Sequence, residues 1–395
     1  MGEWRTLTIQ DLINEGMLEI PQDGNHGELH PKVDDYVDSG VPFIMATDIV
    51  NGRIDYSKCK YISEDTASNL RKGFAKSGDV LLTHKATLGK TAIVDGRFPF
   101  IVLTPQVTYY RVIKGIDNRY LKYYFDSDVF QEILVAWGNS GSTRSYIGIT
   151  EQRKLPVILP DEQTQIAISD VLASFDDKID LLTRQNKTLE DLAQAYFRKW
   201  FIENPNRKWE EKGLDEIAEF LNGLPLQEYP YMSGNPLKVI KIKELNNGFS
   251  DSTDLCSADI PEQYIVYPGD VIFSWSGSLK VDIWKYGKGA LNQHLFKVTS
   301  RNYPKWFYYF WIKYYLPEFK MIAESKATTM GHIQRQDLSN AIVLVPDNQE
   351  INAMSDIMSP LIEKIEKNNA QILILQKLRD TLLPKLINGE IRVKM

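Results

Sequence analysis

His84-Lys85-Ala86-Thr87-Leu88-Gly89-Lys90-Thr91 offers a glycine, a lysine and a hydroxyl directly after a strand-like run, which are the residue types of a phosphate loop. Such a loop needs a glycine where His84 stands and a helix after Thr91, whereas Ala92 to Gly96 reads as another strand. Nucleotide binding is therefore not expected. The five histidines, at 26, 30, 84, 294 and 332, show no paired-ligand helix spacing, and His26 and His30 fall in a Gly/Pro loop. No metal site is expected. Cys59 and Cys256, the two cysteines, lie far apart in the sequence and support neither a disulfide framework nor a zinc ligand set.

The elements that position these loops come in two copies. Trp4 to Leu12 is echoed loosely by Trp209 to Ile217, and the Ser39 to Pro42 turn with its following strand by Ser233 to Pro236. Lys76 to Gly96 (KSGDVLLTHKATLGKTAIVDG) matches Tyr267 to Gly287 (YPGDVIFSWSGSLKVDIWKYG), both keeping a Gly-Asp-Val step from turn to strand. An aromatic helix-like run follows in each copy, Arg119 to Trp137 and Trp306 to Ile322. Ser142 to Gln163 then aligns without a gap to Thr328 to Gln349, at an offset of 186. Self-similarity at a fixed offset is the mark of a duplicated unit. Short strands between Gly, Asn and Asp turns, followed by helices, make each copy an α+β globule.

Each copy runs into a long helix. Apolar positions step by three and four through Phe175, Ile179, Leu182, Asn186, Leu189, Ala193 and Tyr196. The second copy repeats this through Met358, Leu361, Ile365, Asn368, Ile372, Leu375, Arg379 and Leu382. These are coiled-coil seams, and the buried Asn186 and Asn368 would set register. The first helix is expected from Glu162 to Phe201, about 60 Å at about 1.5 Å per residue. The second is expected to run back antiparallel to it, giving a pseudo-twofold arrangement of two repeated globules separated by two coiled-coil helices. The expected divisions are residues 1–160, 161–203, 204–346 and 347–395.

The 395 residues suit two globular units with a sizeable core, at 43% hydrophobic and 25% charged content. No apolar run spans a membrane and the amino terminus lacks a signal pattern, so a cytoplasmic chain is expected. A net charge of −6 counts against a free-standing polyanion binder, which needs clustered Lys and Arg. Nucleic-acid contact would have to be local or shared with a basic partner.

Asp23 to Asp55, the steps GDVLLT and GDVIFS, the segments LPVILPDEQ and AIVLVPDNQ before each helix, and the ending LRDTLLPKLINGEI together resemble the specificity subunits of type I restriction-modification systems over nearly the whole chain. The resemblance implies two target-recognition domains on helical spacers, each reading half of a split, asymmetric site in double-stranded DNA. It also implies two modification subunits that bind S-adenosylmethionine and methylate adenine, and restriction subunits that use ATP and Mg. This chain would bind no cofactor itself. The residues agree, because a glycine-rich cofactor loop and an Asn/Asp-Pro-Pro-aromatic motif, which methyl transfer needs, are both missing from the sequence.

Phosphate contacts position a reader and base-edge hydrogen bonds specify sequence, so polar, basic and aromatic loop residues are the candidates. In the first copy they are His26, His30, Lys85, Thr87, Lys90, Ser142, Thr143 and Arg144. In the second they are Trp275, Ser276, Ser278, Lys280, Lys326, Thr328, Thr329, His332 and Arg335. The two sets differ in chemistry, which predicts two different half-sites. The competing reading is a coiled-coil scaffold for proteins, whose aromatic run Trp306 to Tyr315 would form an exposed interface.

Overall fold

The computed structural model describes residues 4–138, 145–325 and 331–394. It resolves into two compact units, one of residues 1–177 with 376–395 and the other of residues 178–375. Both boundaries cut a long helix rather than a loop, because each end of a helix packs onto the globule it leaves or enters.

In the first unit the strand Arg5–Thr8 pairs antiparallel with Pro156–Leu159. Thr8 then caps the helix Ile9–Asn14 in a reciprocal box with Asp11, satisfying amides that the first turn leaves open. A four-stranded antiparallel sheet has the order Thr87–Ile93, Val80–Lys85, Val107–Tyr110, Gln22–Asp23. A five-stranded mixed sheet contains a parallel pair, Val41–Ile44 with Ile101–Leu103. Val80, Leu81 and Leu82 are all fully buried. Side chains alternate along a strand, so Val80 and Leu82 enter a core with the helices Asn118–Asp126 and Asp128–Gly138, while Leu81 enters the core shared with the mixed sheet. Tyr120, Tyr124, Phe125 and Phe130 fill the helical core, with Phe125 and Phe130 stacked at 4.5 Å.

The second unit repeats this plan. Glu210–Gly213 pairs with Ile342–Val345. The antiparallel sheet runs Glu219–Asn222, Leu295–Thr299, Val271–Ser274, Lys280–Ile283. The second sheet again holds one parallel pair, Leu237–Ile240 with Gly289–Leu291. Val271 and Phe273 enter the helical core and Ile272 the other, as in the first unit. The aromatic run forms the helix Lys305–Ser325, and Trp306, Phe307, Phe310, Trp311 and Ile312 are buried. That burial removes the exposed aromatic interface a protein scaffold would have used.

The long helices span Glu162–Arg198 and Asn348–Ile387. The first continues into a wider turn, Lys199–Glu203, two residues beyond the expected end. Every expected seam position is buried or half-buried. Arg379 donates to Asp176 at 2.6 Å in the first unit, and Asn368 donates to Asn186 at 2.8 Å in the second. Partner numbers fall along one helix as they rise along the other, the antiparallel sense expected.

The ungapped match of Lys76–Gly96 to Tyr267–Gly287 slips by one residue. Val80 pairs with Ile93 and Val271 with Ile283, because a bulge between Leu88 and Thr91 adds a residue to the first hairpin. Lys90 is thereby the counterpart of Lys280.

Candidate nucleic-acid interface

The Gly-Asp-Val corner builds the site in both units. The amide of Lys76 donates to Asp79 Oδ2 at 2.7 Å and that of Tyr267 to Asp270 Oδ2 at 2.8 Å, closing the same turn. The strand that leaves the corner ends beside a segment contributed from just before the long helix. The amide of Ile147 donates to His84 O at 3.0 Å, and the amide of Ile333 to Trp275 O at 3.0 Å. Lys85 bridges Tyr146 and Ser276 bridges His332 in the same way. His84–Thr91 is thus part of a β-hairpin, with Ala86 at φ 66° in its turn, and not a strand-loop-helix phosphate cradle.

On the first unit's edge, Lys85 lies over the Tyr146 ring at 5.9 Å and Tyr146 is half exposed. His84 beneath it is fully buried, with Nδ1 2.9 Å from Ile147 O and Nε2 without a protein partner. Burial holds the His84 imidazole below its ordinary pKa, opposed by the Ile147 carbonyl bond. His26 pairs with Asp23 at 2.7 Å, and Lys72 also binds that carboxylate. Burial pushes the Asp23 carboxyl up, but hydrogen bonds from Lys72 and His26 outweigh it and hold it below the ordinary range. Thr87 is exposed in the hairpin.

On the second unit's edge, the Trp275 indole donates to Asn222 Oδ1 at 3.0 Å. His294 and His332 flank its ring at 6.1 Å each, the latter edge-on. Ser276 Oγ is 3.2 Å from His294 Nδ1. Arg335 lies over Phe296 at 5.9 Å and donates to Phe220 O at 3.3 Å. Ser278 is exposed at the turn.

Several expected residues serve the frame instead. His30 packs its ring 5.5 Å from Phe43, in the core of the mixed sheet, and burial lowers its pKa. Lys90 reaches Ala46 O at 3.4 Å and Lys280 reaches Leu245 O at 3.1 Å, so each ties its hairpin to the segment that follows a strand of the other sheet of its own unit. Ser142, Thr143, Arg144, Lys326, Thr328 and Thr329 lie outside the described residues. Sequence reasoning missed Asp23, Lys72, Tyr146, Asn222 and His294. Tyr146 was reachable, standing 186 residues before His332 in the ungapped block. Asn222, Asp23 and Lys72 come from remote segments and only strand pairing brings them in. Among the described residues no group of three His, Cys, Asp or Glu side chains is placed to hold a metal, and no helix is long and apolar enough to cross a membrane.

Comparison with known proteins agrees with this duplicated architecture. The family model described as type I restriction modification DNA specificity domain matches residues 1–191 and again 206–376. The chain is 28% identical to the type I restriction enzyme MjaIX specificity subunit of Methanocaldococcus jannaschii, over 92% of this chain and 89% of that one. It is 24% identical to the type I restriction enzyme EcoBI specificity subunit of Escherichia coli, over 46% of this chain and 39% of that one. Its fold matches the S subunit of a type I restriction-modification system from M. genitalium with a TM-score of 0.58 at 16% identity, over 97% of this chain and 96% of that chain. With two matches that together take in most of its length, the chain belongs to the type I restriction modification DNA specificity domain family.

Proposed function

We propose that this chain is the sequence-reading subunit of a type I restriction-modification complex. Each unit reads one half of a split, asymmetric duplex site, and the chemistry is done by partner subunits. The observation that carries this reading is that one backbone frame, repeated twice, presents different side chains at its edge. Exposed Lys85 and Tyr146 over a buried His84 stand where buried Ser276 and half-buried His332 and Trp275 stand. A protein that had to bind the same ligand twice would keep these side chains; one that reads two different half-sites would exchange them.

Two modification subunits bind S-adenosylmethionine and methylate adenine, and restriction subunits supply ATP- and Mg-dependent cleavage. This chain assigns no residue to catalysis. With a net charge of −6 it relies on partners for much of the phosphate neutralisation, so its isolated DNA affinity is weak and steeply salt-dependent. The candidate contacts are Lys85, Tyr146, His26 and Lys72 in the first unit and Trp275, His332 and Arg335 in the second, with Thr87 and Ser278 at the hairpin turns; Ser276, expected among them, is buried with its hydroxyl 3.2 Å from His294 Nδ1 and serves the frame instead.

The test is to co-express the chain with its modification subunit and map methylated adenines genome-wide by single-molecule sequencing. A two-part motif that disappears when this chain is deleted is the expected result. Methylation unchanged by the deletion, with a stable protein complex still formed, would replace this reading with a protein scaffold.

A further inference from the structure

Three pairs of positions keep their backbone setting between the units while their side chains change. His84 stands next to the end of the strand Val80–Lys85 and Trp275 directly follows the strand Val271–Ser274, and each carbonyl accepts from an isoleucine amide at 3.0 Å. Gln106 and His294 each directly precede a strand partner of that strand, Val107 opposite Thr83 and Leu295 opposite Ser274. Tyr146 and His332 each form the lone bridge to the residue that follows His84 or Trp275, namely Lys85 and Ser276. Some neighbours are held while others, such as Lys85 and Ser276, change as well. Thr83 and Ser274 both keep a hydroxyl, and Ile147 and Ile333 both fill a core.

A packing role would hold these three places to similar volumes, since interiors resist changes of even one methylene. Instead they change size and hydrogen-bonding type together, and Gln106, His294, Tyr146 and His332 all retain solvent access. Gln106 and Tyr146 can each present a donor and an acceptor to a base edge, whereas His294, with Nδ1 at 3.2 Å from Ser276 Oγ, keeps Nε2 for it. His84 and Trp275 differ from the other four. His84 is fully buried under Tyr146, at 5.8 Å between rings, and Trp275 spends its N–H on Asn222.

We infer that His294 and His332 select bases in the half-site of the second unit, and Gln106 and Tyr146 in that of the first. Trp275 and His84 are the positioning residues that support them. The inference rests on the proposed reading of split DNA sites and adds the side chains that set their sequence.

The test transplants side chains between equivalent places, which the shared frame already accommodates. Full-length His294→Gln and His332→Tyr, singly and together, are co-expressed with the modification subunit, and methylated adenines are mapped. Methylation of the original motif should fall roughly 10- to 100-fold, the range one good base contact supplies. The change should appear at bases of one half only, leaving the other half and the gap as in the wild type. Gln106→His and Tyr146→His must alter the opposite half, and they keep the test decisive if a second-unit variant misfolds. Wild-type motifs from soluble, complex-forming variants of both units would overturn the inference. So would uniform loss of methylation from such variants. Absence of any split motif with the wild-type chain would instead sink the functional reading beneath it.

Discussion

The two units hold the same corner with unequal chemistry. In the first, Asp79 is buried and takes two hydrogen bonds from Arg111, at 2.9 and 2.7 Å, while the same guanidinium donates to Phe74 O. In the second, the more exposed Asp270 meets Lys297 at 2.8 Å, whose ammonium also donates to Ile265 O at 2.9 Å. The carboxylate that closes the turn is retained, whereas its cation changes type and comes from a different strand position. Beyond the corner the side chains at the edge differ at His84 and Trp275, Lys85 and Ser276, and Tyr146 and His332. Frame and reading surface are thus physically separable: the frame answers to backbone hydrogen bonds, the edge only to what it touches.

That contrast predicts unequal consequences for one substitution. Asp79→Ala removes two of the bonds of Arg111, which keeps Glu19 and Phe74 O, and opens the turn, at a cost towards the lower end of the about 3–5 kcal/mol for breaking a buried charge pair. Asp270→Ala should cost less, about 1–3 kcal/mol, because its carboxylate is nearer solvent and takes a single bond from its cation besides the turn amide. Hydrogen exchange on the intact chain, read separately for the amides of each unit, measures both. Equal losses of protection in the two units would erase the distinction between a bidentate buried anchor and a monodentate one.

The long helices repeat the lesson. Asp176 and Arg379 pair in the first unit. Their counterparts 186 residues away are Ile362 and Ala193, which sit in the apolar core of the second unit. The second unit holds its own polar contact in four amides. Asn368 donates to Gln185 Oε1 and Asn186 Oδ1, and Asn186 to Asn369 Oδ1, at 2.8 to 2.9 Å. Asn368 is 1% exposed, so Asn368→Leu alone takes the donor from Asn186 Oδ1 and sets a leucine against it, at a cost of about 1–3 kcal/mol. Pairing it with Asn186→Leu should recover most of that loss, since Gln185 and Asn369 remain within reach of water. Denaturant midpoints for the single and double variants give the coupling directly. Additive losses would mean the amides act independently rather than as one register lock.

Both seams and the duplication were legible in the sequence because periodicity and self-similarity survive divergence. Apolar steps of three and four mark a helix seam whichever residues fill them. The one-residue slip in the hairpin was not legible, because a bulge changes backbone count without changing residue type. Nor was the role of Lys90 and Lys280, which look like solvated loop cations until the hairpin folds them against carbonyls of a remote segment of the same unit. Asn222 reaches Trp275 across 53 residues, and no local pattern announces a partner at that separation. His30 resembled His26 in its loop, yet the chain turns its ring onto Phe43. Local chemistry names candidates, and strand order decides which of them share an edge.

A smaller difference lies under the edge, where the first unit buries an imidazole and the second places an indole. Burial depresses the folded-state pKa of His84 below its ordinary value of 6.5. Between that lower value and about 6.5 the unfolded chain binds the extra proton, so stability rises with pH in this window and falls as pH drops through it. Above about 6.5 both states are neutral and the contribution is flat. The slope cannot exceed about 1.4 kcal/mol per pH unit for one proton. Trp275 does not titrate, so no such loss arises at the equivalent place. His30, also depressed by burial, adds to the slope of the first unit, but the difference between wild type and His84→Gln isolates the buried ring. Hydrogen-exchange protection measured from pH 7.5 downward should fall in the first unit of the wild type, after correction for the intrinsic exchange rate, and fall less in the variant. If wild type and variant lose protection in parallel, the unpartnered Nε2 is not what makes the first unit acid-sensitive, and the two edges are equally indifferent to pH.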